Sequence, residues 1–253
     1  PLVVPVPSLR SLEGTALGSA DFVAHERSLA VQHLGELADL IGDVEPTPVL
    51  AVGDPHAEIL RAIPEHDAQL LVIGSSARKP LERMVQGTFS ADLAVTAPCP
   101  AVVVTERATP DGAGPLIAGY DGSEHSLRAA RHGAALAAGL GRELVLMHVA
   151  EEDEPRVEAS AELARELHEA AQRCKAGAGR RVDVVIDVQR GDPVKELVRA
   201  AREREAALLV VGSRGRNPIK EALLGSVSGG VVRAAEVPVV VAGPRSEAAL
   251  GGD

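Results

Sequence analysis

The chain has 253 residues, 45% of them hydrophobic, which leaves one large domain or two small ones open and excludes a short disulfide-stapled scaffold. Its formal net charge of −10 and pI near 5.3 argue against nucleic acid as a main partner, because a phosphate backbone is gripped by a concentrated basic face. No apolar run approaches the roughly 20 residues that cross a bilayer, and the start lacks the basic and apolar regions of a secretory signal, so a cytoplasmic protein with no membrane partner is expected.

Only Phe22, Phe89 and Tyr120 are aromatic, so the core must be built from Val, Leu, Ile and Ala. Cys99 and Cys174 have no metal-ligand spacing and read as small core residues. In chain order, GDPHAEILRA (53–62) comes first as a clear helix start: Asp54 precedes Pro55 and a helical run, which predicts an N-cap with Pro at the first helical position. AQLLVIG (68–74) reads as a buried strand that opens into SSARKPLERMVQGT, and PAVVV (100–104) as a short closing strand. TERATPDGAGP (105–115) breaks the pattern with Pro, Gly and Asp and is read as a linker.

LIAGYD (116–121) then predicts a strand ending in an Asp-Gly-Ser turn, and SLRAARHGAALAAGL (126–140) a helix. LVLMHVA (144–150), RVDVVIDV (181–188), ALLVVG (207–212) and PVVVA (238–242) supply four more strands, with helices at 160–174 and 193–206 between them. A less regular segment runs from Pro218 to Ala234. Strand and helix in alternation predict an α/β fold, a doubly wound parallel sheet covered on both faces.

The two halves are copies. From Gly53 to Gly191 the register is 138 residues, and GDPHAEILRA recurs as GDPVKELVRA, AQLLVIGSSAR as AALLVVGSRGR and PAVVV as PVVVA. Identity is about 40% over about 50 positions, well above chance. Residues 1–105 form the first copy, 106–115 the linker, 116–245 the second copy and 246–253 a tail. Aligning Val6 with Val149 leaves the first copy without a counterpart of the strand at 116–121 and its helix, so its N-terminal strand and helix are expected to be missing from the sequence as it stands.

The segment that carries chemistry starts where ALLVVG ends. It reads Gly212-x-x-Gly215, nine residues, Gly225-Ser226, then Val227 and Ser228 before a helical stretch. Glycines at the mouth of a strand permit positive φ and close approach of backbone N–H groups to a phosphate. A helix start at Gly225–Ser228 favours an anion through its free N–H groups and dipole, and the hydroxyls of Ser226 and Ser228 add donors.

This frame resembles the ATP-binding motif of the universal stress protein family, and the likeness extends to the YDGS strand end, the HV strand end, the GDP helix starts and the closing PVVV strand. The resemblance identifies a tandem, two-domain member. It implies two five-stranded sheets of order 3-2-1-4-5, with the ligand crevice where the strand order reverses. It also implies that Asp121 meets the nucleoside, that the backbone of Val149 meets the adenine edge, and that Gly212, Gly215, Gly225, Ser226, Val227 and Ser228 hold phosphates.

The matching set in the first copy is Val6, Gly74, Gly87, Thr88 and Ser90, where Ala77 replaces the second glycine. A methyl there obstructs close backbone approach, so nucleotide is expected mainly in the second copy. The expected ligand is ATP, with ADP and AMP open and Mg²⁺ as an optional companion. The leading reading is an ATP-binding regulatory stress-response module. A slow ATP-hydrolysing enzyme of the adenine nucleotide alpha hydrolase-like superfamily and an interaction protein without nucleotide are the alternatives. Against turnover, the chain has no Gly-Lys-Ser/Thr P-loop and no carboxylate pair beside the glycine loop. The closing strands are expected to pair with each other inside one chain, with homodimerisation also open.

Overall fold

A computed structural model describes residues 2–3, 28–29, 31–32, 35–36, 47–49, 51, 53–75, 83–109, 112–150, 161–215 and 224–246. They divide into two units, Pro1–Ala68 and Gln69–Asp253. In the first unit, strand β1 (Leu2–Val3) runs parallel to β2 (Pro48–Val49). Helix α1 (Pro55–Glu65) follows. Its start is dictated locally: Gly53 turns the chain at φ 154°, Asp54 accepts a hydrogen bond from the Ala57 N–H at 3.0 Å, and Pro55 occupies the first turn, where its missing N–H costs nothing. Ile59, Ala62 and Ile63 form its buried stripe.

The second unit is built on one seven-stranded sheet. Its strands are β3 (Leu71–Ser75), β4 (Ala101–Thr105), β5 (Leu116–Gly119), β6 (Leu144–Ala150), β7 (Val184–Arg190), β8 (Leu208–Gly212) and β9 (Val239–Ala242). Its helices are α2 (Arg83–Thr96), α3 (Glu124–Leu140), α4 (Ala161–Ala176), α5 (Pro193–Glu203) and α6 (Ser226–Ala234). The spatial order is β3-β4-β9-β8-β5-β6-β7, and every pair is parallel except β4 with β9. Within it the second copy reads β7-β6-β5-β8-β9, the 3-2-1-4-5 order, with the reversal between β5 and β8.

The period-2 geometry of the strands divides their side chains between two layers. Leu116, Ala118, Leu144, Leu146 and Val210 share a buried cluster with Leu127 and Ala134 of α3 and Leu163 and Leu167 of α4. On the opposite face, a Cβ on Gly119 would meet Leu197 of α5 at 3.1 Å and Val211 of β8 at 3.8 Å. The core is aliphatic, as the composition requires, and both cysteines are buried within it. None of the described helices is long and apolar enough to cross a membrane.

β5 hydrogen-bonds β6 on one edge and β8 on the other. No strand has that part among the described residues of the first copy. β1 and β2 form a sheet of their own, while β3 and β4 extend the sheet of the second copy. A sheet is continuous only through strands paired on both edges, so the five-stranded set is complete in the second copy and divided in the first. The matching strands differ in their cover: Val210 is fully buried, but Val72, its counterpart in β3, is 64% exposed. β4 and β9, the closing strands of the two copies, lie antiparallel with Val102 opposite Val240.

Candidate functional site

Where the strand order reverses, a cleft of about 410 Å³ opens beyond the carboxyl ends of β5, β6 and β8. Such a volume suits a small-molecule ligand. Its lining includes Asp121 and Val149, with Gly212, Gly215, Gly225, Ser226, Val227 and Ser228. All eight second-copy residues named from the sequence thus meet in one place, although more than 100 positions separate the first from the last.

Asp121 stands just beyond β5 in a short turn, where its Oδ1 accepts the Ser123 N–H at 3.0 Å. The next helix is capped by Ser123, whose Oγ accepts the Ser126 N–H at 3.1 Å, and the Ser126 hydroxyl donates back to the Ser123 carbonyl at 2.9 Å. Ser123 and Ser126 are therefore first of all the cap of α3. Asp192 caps α5 in the same way, taking the Lys195 N–H at 2.9 Å after Gly191 at φ 139°.

Helix α6 differs. Its N-cap is Gly225, which brings no side-chain hydrogen bond, so the first N–H groups of the helix face the cleft with their positive end of the helix dipole. Arg214 lines the same cleft, and Leu197, Val211 and Met147 add apolar lining to it. Tyr120 is 7% exposed; burial first, and then the neighbouring Glu166, hold its phenol well above the ordinary tyrosine range, and it donates to Glu166 Oε1 at 3.1 Å. His148 bonds the Tyr120 carbonyl through Nδ1 at 2.9 Å. A carbonyl can only accept, so Nδ1 carries the proton and the imidazole joins the ends of β5 and β6.

The glycines have a different rationale from the one expected. None of Gly212, Gly215 or Gly225 has a positive φ, a conformation found among the described glycines at Gly53, Gly122, Gly141, Gly179 and Gly191. Gly212 is needed because a Cβ would lie 2.9 Å from the backbone of His125 at the start of α3. At Gly215 it would lie 2.9 Å from Asp121 Oδ2. Backbone packing, not a left-handed conformation, demands glycine at position 212, while at 215 a side chain would have to push the Asp121 carboxylate aside. The two serines also part company: Ser226 is exposed, while Ser228 is 3% exposed and its hydroxyl is bonded to the carbonyls of Ser213 and Gly225.

In the first copy, Val6 and Ala77 lie outside the described residues. Gly74 is the penultimate residue of β3, with open space where a Cβ would stand. Gly87 and Thr88 fall inside α2, which begins at Arg83, and Ser90 is buried. Where Gly225 opens a helix, Gly87 is therefore already in its second turn, with its N–H engaged in the helix.

Sequence reasoning did not single out Tyr120, Met147, Pro193 or Leu197. Pro193 and Leu197 come from α5, and the only signal at hand was the amphipathic run after Asp192, which indicates a buried face without saying what it is buried against.

Comparison with known proteins places these features in context. Residues 3–105 and 114–243 match the model of the universal stress protein family. The chain is similar to universal stress protein Rv2005c of Mycobacterium tuberculosis, with 34% identity over 186 residues, 70% of this chain and 62% of that protein. With universal stress protein Rv2623 of the same organism, identity is 32% over 212 residues, 76% of this chain and 70% of the relative. The crystal structure of a universal stress protein from Archaeoglobus fulgidus DSM 4304 shares the fold at a TM-score of 0.66 and 21% identity, covering 92% of this chain and 82% of that one. The chain spans less than two thirds of the length of Rv2005c.

Proposed function

The chain belongs to the universal stress protein family, and from that premise we propose that it is a regulatory module whose second copy binds an adenine nucleotide, ATP foremost, in the cleft between β5 and β8. The observation that carries this reading is the mixed lining of the cleft: Leu197, Val211 and Met147 offer apolar surface suited to a base, while Arg214 and the uncapped start of α6 are suited to phosphates. The cradle fits such a group: Gly225 presents no side chain, and Asp121 is held by its turn at the mouth of the cleft.

In this reading the amides of Ser226, Val227 and Ser228 meet the phosphates, the Val149 backbone meets the base and Asp121 the ribose, with Mg²⁺ an accompanying ion for the longer nucleotides. Occupancy supports regulation through linkage. Ligand at 100 times its dissociation constant stabilises the fold by about 2.7 kcal/mol. The first copy, with α2 starting ahead of Gly87 and Ala77 in place of the second glycine, acts as partner to the second through β4 and β9, which makes one chain the counterpart of a dimer. A cytoplasmic setting belongs to the same reading.

The test is nucleotide binding by the purified chain. A rise in melting temperature of about 5–10 °C is expected with millimolar ATP and Mg²⁺. Mass spectrometry of ligand released from freshly purified protein identifies the nucleotide. Gly215→Val displaces the Asp121 carboxylate and is expected to abolish the rise; a wild-type protein indifferent to ATP, ADP and AMP alike sinks the proposal.

A further inference from the structure

The two serines of the Gly-Ser-Val-Ser segment have different surroundings. Ser226 is exposed at the cleft. The Ser228 hydroxyl is 3.1 Å from the Ser213 carbonyl and 3.2 Å from the Gly225 carbonyl, in a residue only 3% exposed. A hydroxyl has a single proton to donate, and here both neighbours are carbonyls, which only accept. That proton is committed to the protein backbone.

Its position matters because Ser213 is the first residue after β8 and Gly225 the last residue before α6. The Ser213 carbonyl also accepts the Gly225 N–H at 2.8 Å, and the Ser213 N–H is tied to the Ala242 carbonyl of β9 at 2.9 Å. Ser213 is fully buried. A Cβ on Gly225 would stand 3.4 Å from the Arg214 Cα and 3.5 Å from the Ser213 carbonyl oxygen, so the two ends of the loop are in contact. The bonds therefore join three elements, the end of β8, the start of α6 and the end of β9. Both serines recur 138 residues earlier, as Ser75 and Ser90.

Resting on the nucleotide reading above, we infer that Ser228 is a positioning residue: its hydroxyl clamps the neck of the glycine loop and pre-sets the free N–H groups of α6, and the hydroxyl itself does not contact the ligand. A preset donor array binds an anion without first losing the entropy of ordering the loop, which is how a buried side chain away from the phosphates raises affinity. The backbone amide of Ser228 remains part of the array while its side chain holds the array in place.

The experiment compares Ser228→Ala, Ser228→Thr and Leu167→Ala, the last a buried position in α4 outside the lining of the cleft. In the ligand-free chain, Ser228→Ala is expected to speed hydrogen exchange at the Gly225 amide about tenfold, and with Mg²⁺ and ATP to weaken affinity about tenfold, while Ser228→Thr restores both. Leu167→Ala should lower the melting temperature with affinity unchanged, which separates positioning from general destabilisation.

Faster exchange with undiminished affinity in Ser228→Ala overturns the positioning role. Unchanged ligand-free exchange with weakened affinity also overturns it, and makes the hydroxyl a direct phosphate contact. If the unsubstituted chain binds no nucleotide while Gly225 exchange still responds to Ser228→Ala, the nucleotide reading fails and the clamp alone stands.

Discussion

Gly212 and Gly74 are one position of the repeat in two environments. A Cβ on Gly212 meets the backbone of His125 at 2.9 Å, and backbone does not swing aside, so Gly212→Ala is expected to destabilise by about 1–3 kcal/mol. Gly74→Ala meets nothing within 4 Å and should stay within roughly 0.5 kcal/mol of the parent. Urea denaturation of the two variants decides this, and equal costs would refute the packing account of Gly212. His132 is 3% exposed on α3, and burial pushes its imidazole down from the usual 6.5 to about 4, with Arg131 and Arg128 contributing.

Between those values the unfolded chain binds the His132 proton and the folded chain does not, so stability falls as pH drops from about 7 to about 4. The loss from this one group is on the order of 3 kcal/mol. Denaturation across that range should show His132→Leu losing less stability than the parent; parallel profiles would remove His132 as the cause.

At the scale of elements, helix starts separate structural work from binding. Asp54, Ser123 and Asp192 cap α1, α3 and α5, and Asp192→Ala should cost about 1 kcal/mol. α6 begins with Gly225 and no side-chain cap. Gly225→Asp is therefore expected to leave the ligand-free fold as stable or to gain a few tenths of a kcal/mol, while its carboxylate occupies the donors that the proposal gives to phosphate. Melting temperature with and without ATP reads both effects at once. An unchanged ATP response would show that the α6 N-terminus is not where phosphate binds.

These starts were also the most legible part of the sequence. A Gly-Asp-Pro triplet specifies a turn, a cap and a first helical residue within three positions, and the structure has all three at both copies. Legibility ended where contacts come from far along the chain. The approach of Leu197 to Gly119 and of Gly212 to His125 joins segments whose local patterns contain no sign of each other.

Across the whole molecule, the copies are equal in sequence pattern and unequal in setting. Val72 and Val210 occupy matching strand positions, yet one is 64% exposed and the other fully buried beneath α3, beside Gly133. Val72→Lys should be tolerated within roughly 0.5 kcal/mol, whereas Val210→Lys strands a charge in an aliphatic layer and should unfold the chain or cost several kcal/mol. Circular dichroism and thermal melting of the two variants test this directly, and comparable damage from both would contradict the asymmetry. The seam between the copies, where Val239, Val240 and Val241 are all fully buried against β4, leaves the edge of β9 paired within the chain.

The sequence by itself determined the duplication, the alternation of strand and helix, the helix caps, and the glycine and serine positions that gather at the cleft, because each depends on short-range stereochemistry or on a period that residues carry locally. Only the tertiary structure decided that β4 joins β9 antiparallel, that the first copy's strands belong to two sheets, that Gly212 and Gly215 make room for protein rather than for a left-handed turn, and that Ser228 faces the loop neck while Ser226 faces the cleft. Those outcomes depend on which distant atoms arrive within about 3 Å of one another. Two serines two positions apart can be given opposite work by that arrival alone.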